Sequence, residues 1–197
     1  MLEFSLSDAK WLFEPKKYSI ENGKVVVLTE PNSDFWQRTY YGIRNDSAHV
    51  LYNTTAEKYF TFTVKAQFKY TAMFDQCGIA IYQDSDNWAK AGIEYNIKDT
   101  MYLGSVVTNN GYSDWATVDI DNKITEIWYR LSRRESDFLI EYSYDGSSFS
   151  QMRIFHLAKC DGEIRFGLHA GSPTKNSFEA VFTDISMSDC IWEKHVF

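Results

Sequence analysis

The stretch Tyr59-Phe60-Thr61-Phe62-Thr63-Val64-Lys65-Ala66-Gln67-Phe68 decides the fold class. Phe60, Phe62, Val64, Ala66 and Phe68 share one face, and Thr61, Thr63, Lys65 and Gln67 the other. Successive strand side chains point to opposite faces, so a period of two predicts a strand with one apolar and one wet face. Working outward, the same reasoning predicts strands over 24–28, 77–82, 88–96, 101–108, 127–133, 138–144, 151–155, 164–170 and 178–188. Turn chemistry separates them: Asp84-Ser85-Asp86-Asn87, Asn109-Asn110-Gly111 and Asp145-Gly146, residues that tolerate the positive φ of tight hairpins. No segment holds a 3.6-residue period for ten residues, so helix is expected only as single turns over 10–13 and 157–160.

Many short strands at regular spacing predict an all-β, two-sheet antiparallel sandwich. The composition agrees, since aromatics make up 17% of the 197 residues and pack well on pleated surfaces. No linker or repeat interrupts the chain, so 1–197 is expected to be a single domain.

Charge and cysteine usage narrow the function classes. The net charge of −7 repels phosphate backbones, so nucleic acid is not an expected partner. No apolar run approaches the roughly 20 residues that span a bilayer, so no membrane partner is expected either. Cys77, Cys160 and Cys190 are three in number and widely spaced, which is neither a disulfide framework nor a zinc site. With no basic and apolar leader at the start, a reduced, cytoplasmic setting is expected. The sequons at Asn45 and Asn53 then carry no sugar.

Three segments together resemble a known family. They are Ser33-Asp34-Phe35-Trp36-Gln37-Arg38-Thr39-Tyr40-Tyr41-Gly42; Phe74-Asp75-Gln76-Cys77-Gly78-Ile79 continuing through Asn87-Trp88-Ala89-Lys90-Ala91-Gly92-Ile93-Glu94-Tyr95; and Ser105-Val106-Val107-Thr108 with Gly111-Tyr112-Ser113-Asp114-Trp115. Tyr142-Ser143-Tyr144-Asp145-Gly146 and Arg153 support them. The combination resembles the DUF1349 or "regulation of enolase protein 1" family over about residues 4–182. The resemblance implies a concanavalin A-like jelly roll and implies no particular reaction.

The candidate site centres on 88–95. Trp88, Lys90, Gly92 and Glu94 share one face, and Ala89, Ala91, Ile93 and Tyr95 the other, which is the natural core face. Lys90 and Glu94 lie roughly 13 Å apart along a strand, so they are expected to line a groove rather than pair. Trp88 is expected to stack on a sugar ring while the charged groups bind hydroxyls. Asp75 and Gln76 enter the preceding strand. Trp36 shares parity with Arg38, and Trp115 follows a glycine-containing loop. His49 and His169 lie in strand context, and Ser105 joins the set from the third resembling segment. His156 and His195 show no partner in the sequence pattern.

Catalytic signatures are sparse. Asp84-Ser85-Asp86-Asn87 lacks the glycine and distal glutamate of a calcium loop, so no metal is expected. The closely alternating acidic triplet of glucanases with this fold has no counterpart, nor do nucleophile elbows or phosphate loops. No cofactor is expected, and Cys77 beside Gly78-Ile79 is expected to be a buried, inert thiol. The leading expectation is a non-catalytic domain binding a carbohydrate or small polyhydroxylated ligand. The alternatives are a sugar-active enzyme using Glu94 as acid/base with Asp75 or Lys90, and a protein-interaction regulator linked to enolase and central carbon metabolism.

Overall fold

The computed structural model describes residues 2–96 and 100–194, so His195 lies outside the described residues. The strands, in chain order, are β1 (Lys10–Leu12), β2 (Lys17–Glu21), β3 (Lys24–Leu28), β4 (Phe35–Gln37), β5 (Arg44–Asp46), β6 (His49–Thr55), β7 (Tyr59–Phe68) and β8 (Gln76–Asp84). They continue as β9 (Asn87–Tyr95), β10 (Thr100–Asn109), β11 (Tyr112–Asp121), β12 (Glu126–Arg134), β13 (Asp137–Ser143), β14 (Ser150–His156), β15 (Ile164–Gly171) and β16 (Glu179–Asp189). Among the described residues there is no helix. The two expected helical turns are therefore corrected. Residues 10–12 form an edge strand paired with β6 and ended by Phe13 at φ 55°, and 157–160 is a turn.

Two seven-stranded antiparallel sheets form the sandwich. One runs β1-β6-β15-β8-β9-β10-β11, the other β14-β13-β12-β7-β16-β3-β2. The decisive stretch is β7, near the middle of the second sheet, and its Phe60, Phe62, Val64 and Ala66 are wholly buried. They meet Ala89, Ala91 and Ile93 of β9 and Phe166 of β15 in the main core. Burying a large side chain of this kind contributes about 2 kcal/mol each, so this layer dominates the stability.

The outer face of the first sheet is not the wet surface that alternation suggests. The small β4–β5 hairpin folds over it. Phe35, Ala48, Val50, Ala80, Tyr82, Trp88 and Val106 form a second apolar cluster beneath that cover. Central strands β8 and β9 are thus buried on both faces, which explains their nearly unbroken burial. The cover stops short of the Gln76/Glu94 end of these strands, and the candidate site lies there.

Candidate functional site

The register across the first sheet creates the opening. Ala80, Lys90, Val106 and Trp115 form one cross-strand row, and Gln76, Glu94 and Tyr102 another. Between them, Gly78, Gly92 and Gly104 align on β8, β9 and β10. No side chain therefore stands between Lys90 and Glu94. A cavity of about 270 Å³ occupies the space, lined by Asp34, Trp36, Tyr41, Gln76, Lys90, Glu94 and Trp115 among others.

A buried polar knot forms one wall. The Lys90 ammonium donates to Gln76 Oε1 at 2.6 Å and to Asp34 Oδ1 at 3.0 Å. Gln76 Nε2 donates to the Phe74 carbonyl at 3.2 Å and more weakly to Asp34 Oδ1 at 3.4 Å. From behind, His169 Nε2 lies 3.3 Å from Gln76 Oε1. Burial, and then the Lys90 charge, hold the His169 imidazole well below its usual pKa, so the ring is neutral and donates its Nε2 proton to Gln76. The Lys90–Asp34 pair is mostly desolvated, so removing one member strands the other charge.

Glu94 differs from this knot. It is only 9% exposed, yet among the described residues no hydrogen-bond donor reaches its carboxylate. Burial pushes its pKa up to about 7; the Lys90 charge opposes that rise and Asp34 adds to it. A carboxyl group titrating near neutrality inside a cavity is a frequent mark of a functional site.

The aromatic walls stand at steep angles to one another. The Trp36 and Trp115 rings lie 6.3 Å apart at 82°, and Trp36 and Tyr41 5.4 Å apart at 73°. Trp36 is held by its Nε1–H bond to the Thr39 carbonyl at 3.0 Å. Trp115 lays its indole edge beside Gly104, and its Nε1 is buried without a partner among the described residues.

Of the residues expected from sequence, the structure brings Trp36, Gln76, Lys90, Glu94 and Trp115 around the cavity, with His169 directly behind. It places the others elsewhere. Trp88 is 1% exposed and packs on Phe35 at 5.4 Å, so it belongs to the second core and offers no stacking surface. Asp75 is wholly buried; its carboxylate accepts from the Thr71 and Ala72 backbone N–H groups and from the Ser172 hydroxyl, a loop knot. Arg38 reaches the Gly111 carbonyl and Tyr112, stapling the hairpin to the β10–β11 turn. His49 accepts from Glu30 N at Nε2 and donates through Nδ1 to the Phe13 carbonyl, a structural tie. Ser105 pairs with Ala91 on the core-facing side and meets Arg153 of the other sheet. Cys77 is fully buried, and burial pushes its thiol up to about 12. His156 pairs with Asp137 on an exposed edge.

Asp34, Tyr41 and Phe74 were not expected in the site, yet all three line the cavity. Asp34 carried one signal in the sequence: it shares parity with Trp36, two residues on.

The protein is thus a concanavalin A-like β-sandwich with a polar, aromatic-walled cavity on one sheet. Residues 11–190 match the family described as "Protein of unknown function (DUF1349)", and the chain belongs to that family. It is 33% identical over 183 residues to "Regulation of enolase protein 1" of Saccharomyces cerevisiae, covering 93% of this chain and 90% of the yeast protein. A crystal structure of a functionally unknown protein from Saccharomyces cerevisiae superposes with TM-score 0.89 at 31% identity, covering 96% of this chain and all (100%) of that one. The GH43 BlXynB protein from Bacillus licheniformis superposes with TM-score 0.65 at 17% identity, covering 88% of this chain and 36% of that one. That last likeness shows a shared fold.

Proposed function

We propose that the chain is a non-catalytic binding protein for a small polyhydroxylated ligand such as a carbohydrate, taken into the cavity between Lys90 and Glu94. The observation that carries this reading is the convergence of Asp34, Gln76, Lys90 and Glu94 with two indoles on one cavity. Few convergent polar groups among aromatic walls is the general form of a small-molecule site. The volume falls just below the roughly 300–1,000 Å³ of drug-sized sites, which suits a single sugar ring. Three unpaired cysteines support the proposed cytoplasmic setting. Calorimetry against a monosaccharide panel tests the proposal. Wild-type binding is expected, with Trp36→Ala and Trp115→Ala each weakening it by about tenfold, equivalent to ~1.4 kcal/mol. Trp88→Ala lowers stability without removing the cavity walls. Absence of binding to every sugar in the panel would overturn the reading.

A sugar-active enzyme is the second reading, favoured by the Glu94 pKa of about 7, which suits a general acid at neutral pH. It predicts turnover of nitrophenyl glycosides that falls as pH rises through about 7 and vanishes in Glu94→Gln. A flat null rate across such glycosides removes it. The name of the yeast relative supports a third, regulatory reading, in which the exposed Tyr40, Tyr41 and Ile43 beside the cavity mouth meet enolase. Titration of purified enolase against the purified chain decides that one.

A further inference from the structure

The cavity is unbalanced in both charge and hydrogen bonding. Among the described residues, one ammonium, Lys90, faces two carboxylates, Asp34 and Glu94. Lys90 already spends itself on Asp34 Oδ1 and Gln76, leaving one N–H over. Against that single spare donor, Asp34 Oδ2 and both Glu94 oxygens have no donor among the described residues. The remaining groups facing Glu94 do not correct this. Tyr102 stands opposite on β10, Asp119 lies beyond it on β11, and Gln76 lies opposite on β8. His169, on β15 behind Gln76, is neutral.

The aromatic walls point the same way. Trp36, Trp115 and Tyr41 meet at 73–82° and form a corner of π surfaces. Such a corner attracts a cation placed against it, and more strongly when the site is desolvated. We infer that the ligand of this cavity carries a protonated amine, and that it is an amino sugar in preference to a neutral or acidic sugar. The inference rests on the cavity being a ligand site, as proposed above. The ammonium donates to the Glu94 carboxylate, and ring hydroxyls take the Lys90 N–H and Asp34 Oδ2. Glu94 is then the group that selects amine over hydroxyl. The rise of its pKa by burial fits a carboxylate suited to a positive partner.

The test is a titration at pH 7.5 with matched probes: glucosamine, galactosamine and mannosamine, their N-acetyl forms, the parent hexoses, and glucuronate. At least one amino sugar is expected to bind tenfold or more tightly than its N-acetyl and parent counterparts. Glu94→Gln, which mimics the protonated side chain, is expected to erase that preference, so that each amino sugar and its parent hexose bind within threefold of one another. Asp34→Asn leaves Lys90 facing Glu94 alone and is expected to narrow the preference for amino sugars over glucuronate. If hexoses bind and the amino sugars bind no better, the amine inference falls and the ligand site stands. If the preference survives in Glu94→Gln, the assignment to Glu94 falls. If no probe binds, both fall.

Discussion

Replacing Gly78 by Ala is expected to destabilise the protein by more than about 4 kcal/mol, enough to leave much of it unfolded at 37 °C. In an ordinary strand the same change is close to neutral, since Ala reduces unfolded-chain entropy by about 0.4–1 kcal/mol. Here a Cβ on Gly78 would lie 2.1 Å from the Ala91 carbonyl oxygen and 2.9 Å from Gly92 Cα. Those are backbone atoms of the paired strand, so no side chain can swing aside. Gly92 faces the same obstacle, 2.5 Å from the Cys77 carbonyl oxygen. Gly104 is different: its Cβ would meet Ala116 O and Thr117 Cγ2 at 2.8 Å and Trp115 Nε1 at 3.4 Å. Two of those neighbours are side chains, so Gly104→Ala is expected to cost less and to displace Trp115 instead. Urea titration of the three variants gives the ranking. A Gly78→Ala protein as stable as wild type would show that the two strands do not approach this closely.

Much of this sheet was legible in the sequence because strand parity is a local property. Alternation placed β7 correctly, and it separated Ala89, Ala91 and Ile93 from Lys90 and Glu94. Ser105 could have been set aside on the same ground, since it shares parity with Leu103 and Val107, both core residues. What alternation does not contain is what covers a face. Trp88 is on the same face as Lys90, yet Phe35 arrives from 53 positions earlier and seals it. Asp34 comes with the same segment and pairs with Lys90 across 56 positions. A contact at that separation leaves no periodic trace. The resembling motif contained Asp34 without marking its role. Asp75 shows the reverse problem: a carboxylate at a strand entrance has the same sequence appearance whether it faces a ligand or ties down its own loop.

Glu94→Gln is expected to stabilise the protein at pH 8 by on the order of 3 kcal/mol and to be nearly neutral at pH 4. The sign follows from proton binding. The folded pKa is about 7, raised by burial from an ordinary value of 4.5. Below about 4.5 the carboxyl is protonated whether the chain is folded or not, and Gln closely imitates it. Between about 4.5 and 7 the unfolded chain ionises while the folded one keeps its proton, so the folded state loses stability as pH rises. Above about 7 the folded state holds a buried carboxylate that no hydrogen-bond donor reaches among the described residues, and the full penalty applies. Glutamine carries no charge and escapes it. For a chain of this size the difference corresponds to a melting-temperature gain of roughly 6–12 °C at pH 8. Thermal melts of both proteins from pH 4 to 8 should therefore diverge through the interval 4.5–7, with Glu94→Gln the more stable. A constant offset across that range would mean that Glu94 titrates normally. The buried carboxylate would then carry no stored cost. A cationic ligand would then gain only what an ordinary carboxylate offers it, so the stability of the protein without ligand bears directly on what the cavity is built to receive.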